Sequence, residues 1–236
     1  MDVTVPPLSE RAMTEAFERL DRNRHGRLEG LALWLCGVQD AVPPKPLERR
    51  RVVVFDDAWN DRAYDDGVAL ADREADEGAD VAVVVSPPTI GAVTIVAALT
   101  NAEPVEVVAN GPHWKQQVAD VRDALRTHKA AEPMDLATHL GKPALVGFLV
   151  GAAKRRTPVV LDGVAPAAAA LVARAVAPLC VSYFAAGHVA PGPAHRRALE
   201  ALGLVPLLDL GIRTDGAASL ALPLLDAAVG LFDESG

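Results

Sequence analysis

The residues with the most chemical potential in this sequence are two histidines and a pair of aspartates. His188 and His195 lie in one Pro/Gly-rich segment and could act as a general base or a metal-ligand pair, or have structural roles. Asp57, beside Asp56, follows a Val-rich run and could hold Mg²⁺, act as an acid or base, or belong to a solvated acidic turn. Residue types alone leave these alternatives open.

Small residues after other apolar runs could contact a phosphate. Gly91 and Thr94 stand near a predicted helix start, where backbone N–H groups and the helix dipole favour anions. The dipeptide Asn110-Gly111 primarily predicts a turn, and the alternative is a loop that binds a phosphate. The segment around Gly91 lacks the lysine and the glycine density of a Walker loop, so ordinary strand–helix packing explains it equally well.

A parallel sheet would have to position these residues. Short apolar runs alternate with Ala-rich helical segments, which is typical of strands covered by helices on both faces of a Rossmann-like α/β sheet. Ligands bind beyond the carboxyl ends of such strands, where the candidate residues fall. The predicted strands are Val52–Phe55, Val81–Val85, Val105–Val108, Val159–Leu161 and, more weakly, Cys180–Phe184 and Val205–Leu208.

Helices are predicted at both ends of the chain. Ser9–Asp21, with Ser9 as N-cap, and Arg27–Gln39 have helical apolar spacing, and a proline-rich linker follows at 43–46. Ser219–Phe232 is expected to form a closing helix with a proline near its start. We therefore predict a helical segment over residues 1–46, a parallel α/β domain over 47–236, and a small helical subdomain built from the two termini.

Charge and composition exclude several classes of partner. The 236 residues carry 31 acidic and 23 basic side chains, a formal net charge of −8, and 50% of them are hydrophobic. This apolar fraction excludes a disordered chain. Lys/Arg blocks such as Arg49–Arg51 are too small to form a nucleic-acid or anionic-membrane surface. We expect neither a nucleic-acid nor a membrane partner.

The cysteines and the apolar stretches favour a cytoplasmic protein. Cys36 and Cys180 lie in apolar contexts without Cys-x-x-Cys spacing, so buried reduced thiols are expected rather than disulfides or a zinc site. Residues 1–7 lack the features of a secretory signal. Ser86-Pro87-Pro88 interrupts the uncharged stretch Val81–Ala102, which should therefore form a strand, a turn and a helix rather than a membrane span.

The C-terminal third carries several motifs in a fixed order. They are Thr157–Gly163 with the Ala-rich stretch Ala167–Ala173, then His188–Leu199, Leu202–Leu210 and Ala221–Leu225. Their order resembles the P-V-x-L-D-G-F, H-x-S-x-E-P-G-H, L-G-L-x-P-L-L-D-L and A-L-P-L-L runs of the nicotinate-nucleotide:dimethylbenzimidazole phosphoribosyltransferases. Upstream, Arg22–Gln39 is similar to that family's G-S-L-G-x-L-E helix entry. Dispersed motifs in the right order over most of the chain make the resemblance specific.

The resemblance implies a transferase. Members of the family transfer phosphoribose from nicotinate mononucleotide to a benzimidazole-like base during assembly of the cobalamin nucleotide loop, and they are dimers. The implied small-molecule partners are nicotinate mononucleotide or a benzimidazole-like base. The implied protein partner is a second copy in a homodimer or a homologous subunit in a heteromer, and neither a cofactor nor a metal is expected.

The resemblance also places the nucleotide on three loops. The family's G-E-M-G-I-G-N-T-T loop corresponds to Ser86–Thr94 and its G-R-G-T-G turn to Ala109–His113. A family lysine corresponds to Lys115 or to Gln117, and spacing does not decide between them. The residues predicted to contact the nucleotide or its phosphate are Gly91, Thr94, Asn110, Gly111, Asp162 and Gly163.

The departures from the family pattern fall on catalytic groups. In the family, a glutamate in a G-E-G-T-G-A turn is the proposed base that takes the proton from the attacking benzimidazole nitrogen, whereas the shortened turn Thr214–Ser219 contains no glutamate. The candidates to replace it are Asp215, His188 and Asp57. A second family glutamate is Pro87 here, and a long segment after the first strand is missing, so we expect a shortened and divergent member.

Three functions follow from these departures. The first is a catalytically impaired homologue, since removal of a positioned acid or base typically lowers a rate by ~10²–10⁴. The second is an active transferase with an altered base or one that works as a subunit of a heteromer. The third is a structural or regulatory protein without a small-molecule site.

Overall fold

A four-stranded parallel sheet forms the centre of the molecule. The structure is a computed structural model and describes residues 4–20, 25–212 and 216–233. The strands are β1 (Arg50–Val54), β2 (Val81–Val85), β3 (Val159–Asp162) and β4 (Phe184–Ala186), and their order in the sheet follows their order in the chain. All neighbouring pairs are parallel, which confirms the predicted α/β class.

Helices surround this sheet and connect its strands. Three short 3₁₀ turns accompany them in the described part of the chain, at Asp57–Trp59, Pro178–Tyr183 and Ala217–Ala221. The α-helices are α1 (Glu10–Arg19), α2 (Arg27–Gln39), α3 (Tyr64–Asp76), α4 (Ile90–Leu99), α5 (Pro104–Val107), α6 (Trp114–Thr127), α7 (Pro133–His139), α8 (Pro143–Lys154), α9 (Val164–Val176), α10 (Pro193–Leu202) and α11 (Leu222–Gly230).

Strand β2 shows why the sheet is covered on both faces. All five of its side chains are buried, and successive side chains of a strand point to opposite faces. Ala82 and Val84 belong to one apolar core with residues of α4, α8 and α9, whereas Val83 packs in a second core with Leu35 of α2 and Leu225 of α11. The unbroken apolar run of β2 is therefore the signature of a doubly covered strand.

The terminal helices form the second layer together. Ser9 caps α1, and its hydroxyl oxygen accepts the Ala12 backbone N–H at 3.2 Å, as predicted. Helix α2 has the predicted bounds and packs against α11, whose Pro223 lies in the first turn. The predicted end of the first helix, Asp21, lies outside the described residues. The helices in the described ranges are too short or too polar to span a bilayer.

Strand β1 is an open edge of the sheet. Its neighbour on one side is β2, and no other described strand pairs with its far side. Val52 and Val54 are 57% and 51% exposed, although they stand beside the buried Val83 and Val85 in the register. One face of this edge strand therefore presents apolar side chains to solvent.

The backbones of helices α3 and α8 are in direct contact where the two helices cross. A Cβ built on Gly67 would lie 1.8 Å from the carbonyl oxygen of Ala144, and one built on Gly147 would lie 1.9 Å from that of Tyr64. Both distances are far below van der Waals contact, so glycine is the only residue that fits at either position. This crossing joins the segment after β1 to the segment before β3.

One predicted strand, Val105–Val108, is wrong. Residues Pro104–Val107 form helix α5, and Val105 is 51% exposed. Pro104 has the φ angle of a helix start, and the Glu106 carboxylate accepts the Glu103 backbone N–H at 2.8 Å. These start signals outweigh the β-propensity of three valines, because propensity is a weak preference.

The two weaker strand predictions are only partly right. Of Cys180–Phe184, most residues form a 3₁₀ turn, and strand β4 begins at Phe184. Val205–Leu208 forms no strand but a single parallel bridge between His188 and Leu208. Pro206 has no backbone N–H, which prevents a longer ladder.

Candidate functional site

A cavity of about 340 Å³ opens beyond the carboxyl ends of β2, β3 and β4. Parallel sheets bind ligands at this edge, because the loops that follow neighbouring strands meet there. The lining residues come from the β2–α4 loop, the β3–α9 turn, the β4–α10 loop and helices α4, α5 and α6. They are Ser86, Pro88, Thr89, Ile90, Val93, Val107, Val108, Ala109, Gln117, Asp162, Gly163, Val164, His188, Ala190, Pro191, Gly192, Ala194, His195 and Ile212.

A buried carboxylate–imidazole pair stands in this cavity. His188 Nε2 lies 2.7 Å from Asp162 Oδ1, and both side chains are almost fully buried. Because an ionised carboxylate only accepts hydrogen bonds, the His188 Nε2–H donates. Asp162 Oδ2 and His188 Nδ1 have no partner among the described residues. In a neutral ring, Nδ1 then carries a lone pair that can take a proton.

His195 is held in the same Nε2–H tautomer as His188. Its Nδ1 lies 2.8 Å from the backbone nitrogen of Ala190, and a backbone N–H can only donate, so Nδ1 accepts. The proton of the neutral ring is therefore on Nε2, which is buried and has no partner within the described ranges. Burial, and then the neighbouring His188, lower the pKa of His195 to about 4. At neutral pH His195 thus offers one unused N–H donor.

Three helices begin at the cavity wall. The N-caps Thr89 of α4, Gly163 of α9 and Gly192 of α10 all line it. Gly163 and Gly192 have φ angles of 90° and 127°, which disfavour any side chain. Because the N-terminal end of a helix carries a partial positive charge, this wall favours a negatively charged ligand group. The wall combines anion-favouring donors with a base.

A buried lysine lies behind the cavity wall. Lys142 Nζ lies 3.3 Å from both Ser86 Oγ and Asn60 Oδ1, and Asn60 Nδ2 donates to Asp57 Oδ1 at 3.2 Å. Lys142 is only 4% exposed, and burial lowers its pKa from the usual value. Sequence reasoning missed this residue. Its signal is a lone lysine between Gly141 and Pro143 at the start of an apolar helix.

Four predicted site residues line the cavity. They are Asp162 and Gly163 at the end of β3, His188 after β4, and His195 in the first turn of α10. No carboxylate stands near His188 in the sequence, but the sheet brings Asp162 to it from 26 residues away. Of the two candidates for the family lysine, Gln117 lines the cavity and Lys115 is exposed outside it.

The other predicted residues lie elsewhere. Asp57 is exposed after β1, outside the cavity. Thr94 is buried within α4, and its hydroxyl donates to the Ile90 carbonyl at 2.9 Å. A Cβ on Gly91 would lie 2.8 Å from the Leu140 carbonyl oxygen, so this glycine permits close packing. Asn110-Gly111 is exposed beside the lining residue Ala109, and Asp215 lies outside the described residues.

A metal site in a protein is built from several His, Cys, Asp or Glu side chains that meet at one point. Within residues 4–20, 25–212 and 216–233, no three His, Cys, Asp or Glu side chains cluster in a way that could hold a metal ion.

Comparison with known proteins gives a family for this chain. A family model described as "Phosphoribosyltransferase" matches residues 56–236. The nicotinate-nucleotide–dimethylbenzimidazole phosphoribosyltransferase of Mycobacterium avium (strain 104) is 44% identical over an alignment of 324 positions that covers 96% of this chain and 93% of that protein. That alignment is longer than the 236-residue chain, so it contains long gaps in this chain.

A second relative and a solved structure agree with this assignment. The protein of the same name from Corynebacterium efficiens is 42% identical over 184 residues, which cover 70% of this chain and 49% of that protein. The chain thus spans about half the length of that relative. The crystal structure of CobT from Thermus thermophilus matches with a TM-score of 0.84 at 24% identity, over 94% of this chain and 96% of that one, and so supports the fold. The chain belongs to the nicotinate-nucleotide–dimethylbenzimidazole phosphoribosyltransferase family.

Proposed function

We propose that this chain binds a nucleotide in the strand-end cavity and transfers its phosphoribose to a benzimidazole-like base, with nicotinate mononucleotide as the donor. The relatives named above carry this activity in their names. The observation that carries the proposal is the buried Asp162–His188 pair, whose two unpartnered atoms stand in residues that line the cavity. Buried polar atoms without partners are rare in proteins, and they indicate a ligand-binding role here.

The reaction requires one proton to be removed. A ring nitrogen of the base forms a bond to the anomeric carbon of the ribose, while the bond from that carbon to nicotinate breaks and nicotinate leaves with the electron pair. The base becomes a positively charged benzimidazolium and must lose the proton of its other ring nitrogen. His188 Nδ1 accepts this proton, and the Asp162 carboxylate stabilises the imidazolium that results, through the Nε2–H bond of 2.7 Å.

We expect the transfer to be slow. The glutamate that serves as the family's proposed base has no counterpart in the turn Thr214–Ser219, and Pro87 replaces a second family glutamate. A positioned base contributes ~10²–10⁴ to a rate. His188 is therefore proposed as a less effective substitute in a catalytically impaired member, with Asp215 and Asp57 as weaker candidates.

The test is a turnover assay with His188→Gln. The glutamine amide can still donate to Asp162 Oδ1, as the His188 Nε2–H does, but it has no basic nitrogen that could take the proton. We expect kcat to fall at least ~100-fold with little change in KM. His113→Gln is the matched control, because His113 is exposed and does not line the cavity. Equal rates for wild type and His188→Gln would contradict the role of His188.

A second function, as one subunit of a heteromer, is favoured by two observations. The cavity volume of about 340 Å³ is at the lower end of the range for one small ligand, yet transfer needs two substrates. The edge strand β1 also exposes Val52 and Val54. Adding a full-length relative to the turnover assay tests this function. A rate above the sum of the two proteins measured separately would support a heteromer.

We also propose a dimeric assembly, a cytoplasmic location and a boundary between segments at residues 46 and 47. The dimer rests on the family resemblance alone, with α1, α2 and α11 as the candidate contact elements. Size-exclusion chromatography with light scattering tests it, and a monomer at micromolar concentration would contradict it. A titration in which nicotinate mononucleotide, benzimidazole and α-ribazole phosphate all fail to bind would favour a structural or regulatory role.

A further inference from the structure

We propose that the buried ammonium of Lys142 is the counter-charge for an oxyanion of the ligand and acts on it through Ser86 at the cavity wall. The oxyanion is a phosphate or a carboxylate, the two groups of this chemistry that a nicotinate mononucleotide carries. The inference deepens the proposed function and rests on it, since it assigns the residue that recognises the ligand's charge.

Lys142 has no ion-pair partner in the described part of the chain. It is the one lysine or arginine there that is buried, and the hydrogen-bond partners of its Nζ in that part are the uncharged oxygens of Asn60 and Ser86. Lysines are almost never fully buried unless they are paired, because the desolvated charge is costly. Burial lowers the pKa of Lys142, and the nearby Asp57, whose carboxylate accepts from Asn60, opposes this shift by attraction without forming an ion pair. A buried charge of this kind is compensated if a negatively charged group binds nearby.

The hydrogen bonds of Lys142 prepare Ser86 as a donor. An ammonium group can only donate, so Ser86 Oγ accepts from Nζ at 3.3 Å. The hydroxyl proton of Ser86 then has no acceptor among the described residues, and Ser86 lines the cavity. A hydroxyl that accepts from a cation is polarised and becomes a stronger donor. Ser86 thus offers a positively polarised O–H to a ligand oxygen.

The described cavity lining itself supplies no lysine or arginine side chain. The described lining residues include neither lysine nor arginine, and the wall position on α6 is the uncharged Gln117. His195 is neutral at pH 7 because burial lowers its pKa to about 4. Asp162 adds negative charge to the same space. Among the described residues, Lys142 is the fixed positive charge that reaches this wall through a single hydroxyl.

The test compares three ligands in binding titrations by calorimetry. Nicotinate mononucleotide carries both oxyanions, nicotinamide mononucleotide carries only the phosphate, and nicotinate riboside carries only the carboxylate. In Lys142→Gln we expect affinity for nicotinate mononucleotide to fall about 10- to 100-fold, the effect of removing a charge-assisted hydrogen bond. The two single-anion ligands identify the source. The affinity for the ligand that carries the recognised oxyanion should fall by the same factor as the affinity for nicotinate mononucleotide. The affinity for the other single-anion ligand should not change.

Two variants control this measurement. Lys115→Gln removes the same charge from an exposed position outside the cavity, and it should bind all three ligands as the wild type does. Ser86→Ala keeps the lysine and removes only the hydroxyl, and it should weaken the same ligands by a smaller factor, about 3- to 10-fold. If Lys142→Gln fails to fold, as judged by circular dichroism, Ser86→Ala decides the question.

Each outcome separates this inference from the proposed function. If the wild type binds none of the three ligands, the proposed function fails and the inference fails with it. If the wild type binds and both variants bind equally well, only the role of Lys142 is wrong. A uniform loss of all three ligands would assign Lys142 a purely structural role in joining Asn60 to Ser86, which also overturns the inference.

Discussion

The crossing of α3 with α8 and the strand-end cavity lie at opposite extremes of packing. At the crossing, Gly67 and Gly147 bring two backbones together so closely that a single added methyl group has no room. At the cavity, Asp162, His188 and His195 each keep a buried polar atom without a partner among the described residues. The first arrangement stabilises the fold, and the second costs stability.

The difference shows which substitutions should affect folding and which should affect binding. Changes at the glycine crossing should unfold the protein without any specific effect on ligands. Changes at the cavity should remove ligand binding while leaving stability unchanged or improved, because unpaired polar atoms disappear.

Gly147→Ala should destabilise the fold by about 3 kcal/mol or more, the upper end of the cost of overpacking. The new Cβ would lie 1.9 Å from the Tyr64 carbonyl oxygen, so α3 and α8 would have to separate. Urea unfolding followed by circular dichroism measures the change. Gly30→Ala on α2 is the matched control, since its Cβ would meet nothing within 4 Å. Because alanine has the higher helix propensity, this change should raise the free energy of unfolding by about 0.5–1 kcal/mol. Similar effects of the two changes would disprove the close crossing.

His195 should make the fold sensitive to acid. Burial lowers its pKa in the folded protein to about 4, below the ordinary value of 6.5, so the unfolded chain takes up a proton first as the pH falls. Stability should therefore decline between pH 6.5 and pH 4, by about 3 kcal/mol in total from this residue. His195→Asn keeps an acceptor for the Ala190 N–H and cannot be protonated. Urea unfolding at several pH values should show a flatter profile for the variant, and parallel profiles would refute the assignment.

The smallest expected effect concerns the two cysteine thiols, which should not react with reagents in the folded protein. Burial raises the pKa of Cys36 to about 11 and that of Cys180 to about 12, so neither forms a thiolate at pH 8. Both lie in the packed part of the molecule rather than in the cavity. A thiol reagent should modify neither cysteine in the folded protein. It should modify both cysteines in roughly 6 M urea, which unfolds the protein. Rapid modification of the folded protein would show that the packed region opens.

The sequence alone predicts much of the scaffold. The doubly covered strand β2 and the helix α2 have the predicted bounds, because unbroken apolar runs and helical spacing are local signals. Helix α5 was predicted as a strand because Val105–Val108 has β-branched residues. The start signals at Pro104 and Glu106 are equally local, and they carry more weight than propensity.

The site could be predicted only residue by residue. His188 and Asp162 were candidates for different roles, and only the sheet order shows that they form one pair. The tautomer of His195 depends on the backbone N–H of Ala190, a contact within a loop that has no pattern. Lys142 carries no motif, and its importance comes from its burial and from its hydrogen bond to Ser86.

The central claim is that the polar groups of the cavity serve a ligand at a cost to stability. The double variant Asp162→Leu/His188→Phe replaces the pair with apolar side chains of similar shape. Titration of nicotinate mononucleotide, beside urea unfolding, tests the claim most directly. We predict saturable binding by the wild type, no binding by the variant, and an unfolding free energy for the variant that is equal or up to about 2 kcal/mol higher. Undiminished binding by the variant, or no binding by the wild type, would contradict the claim.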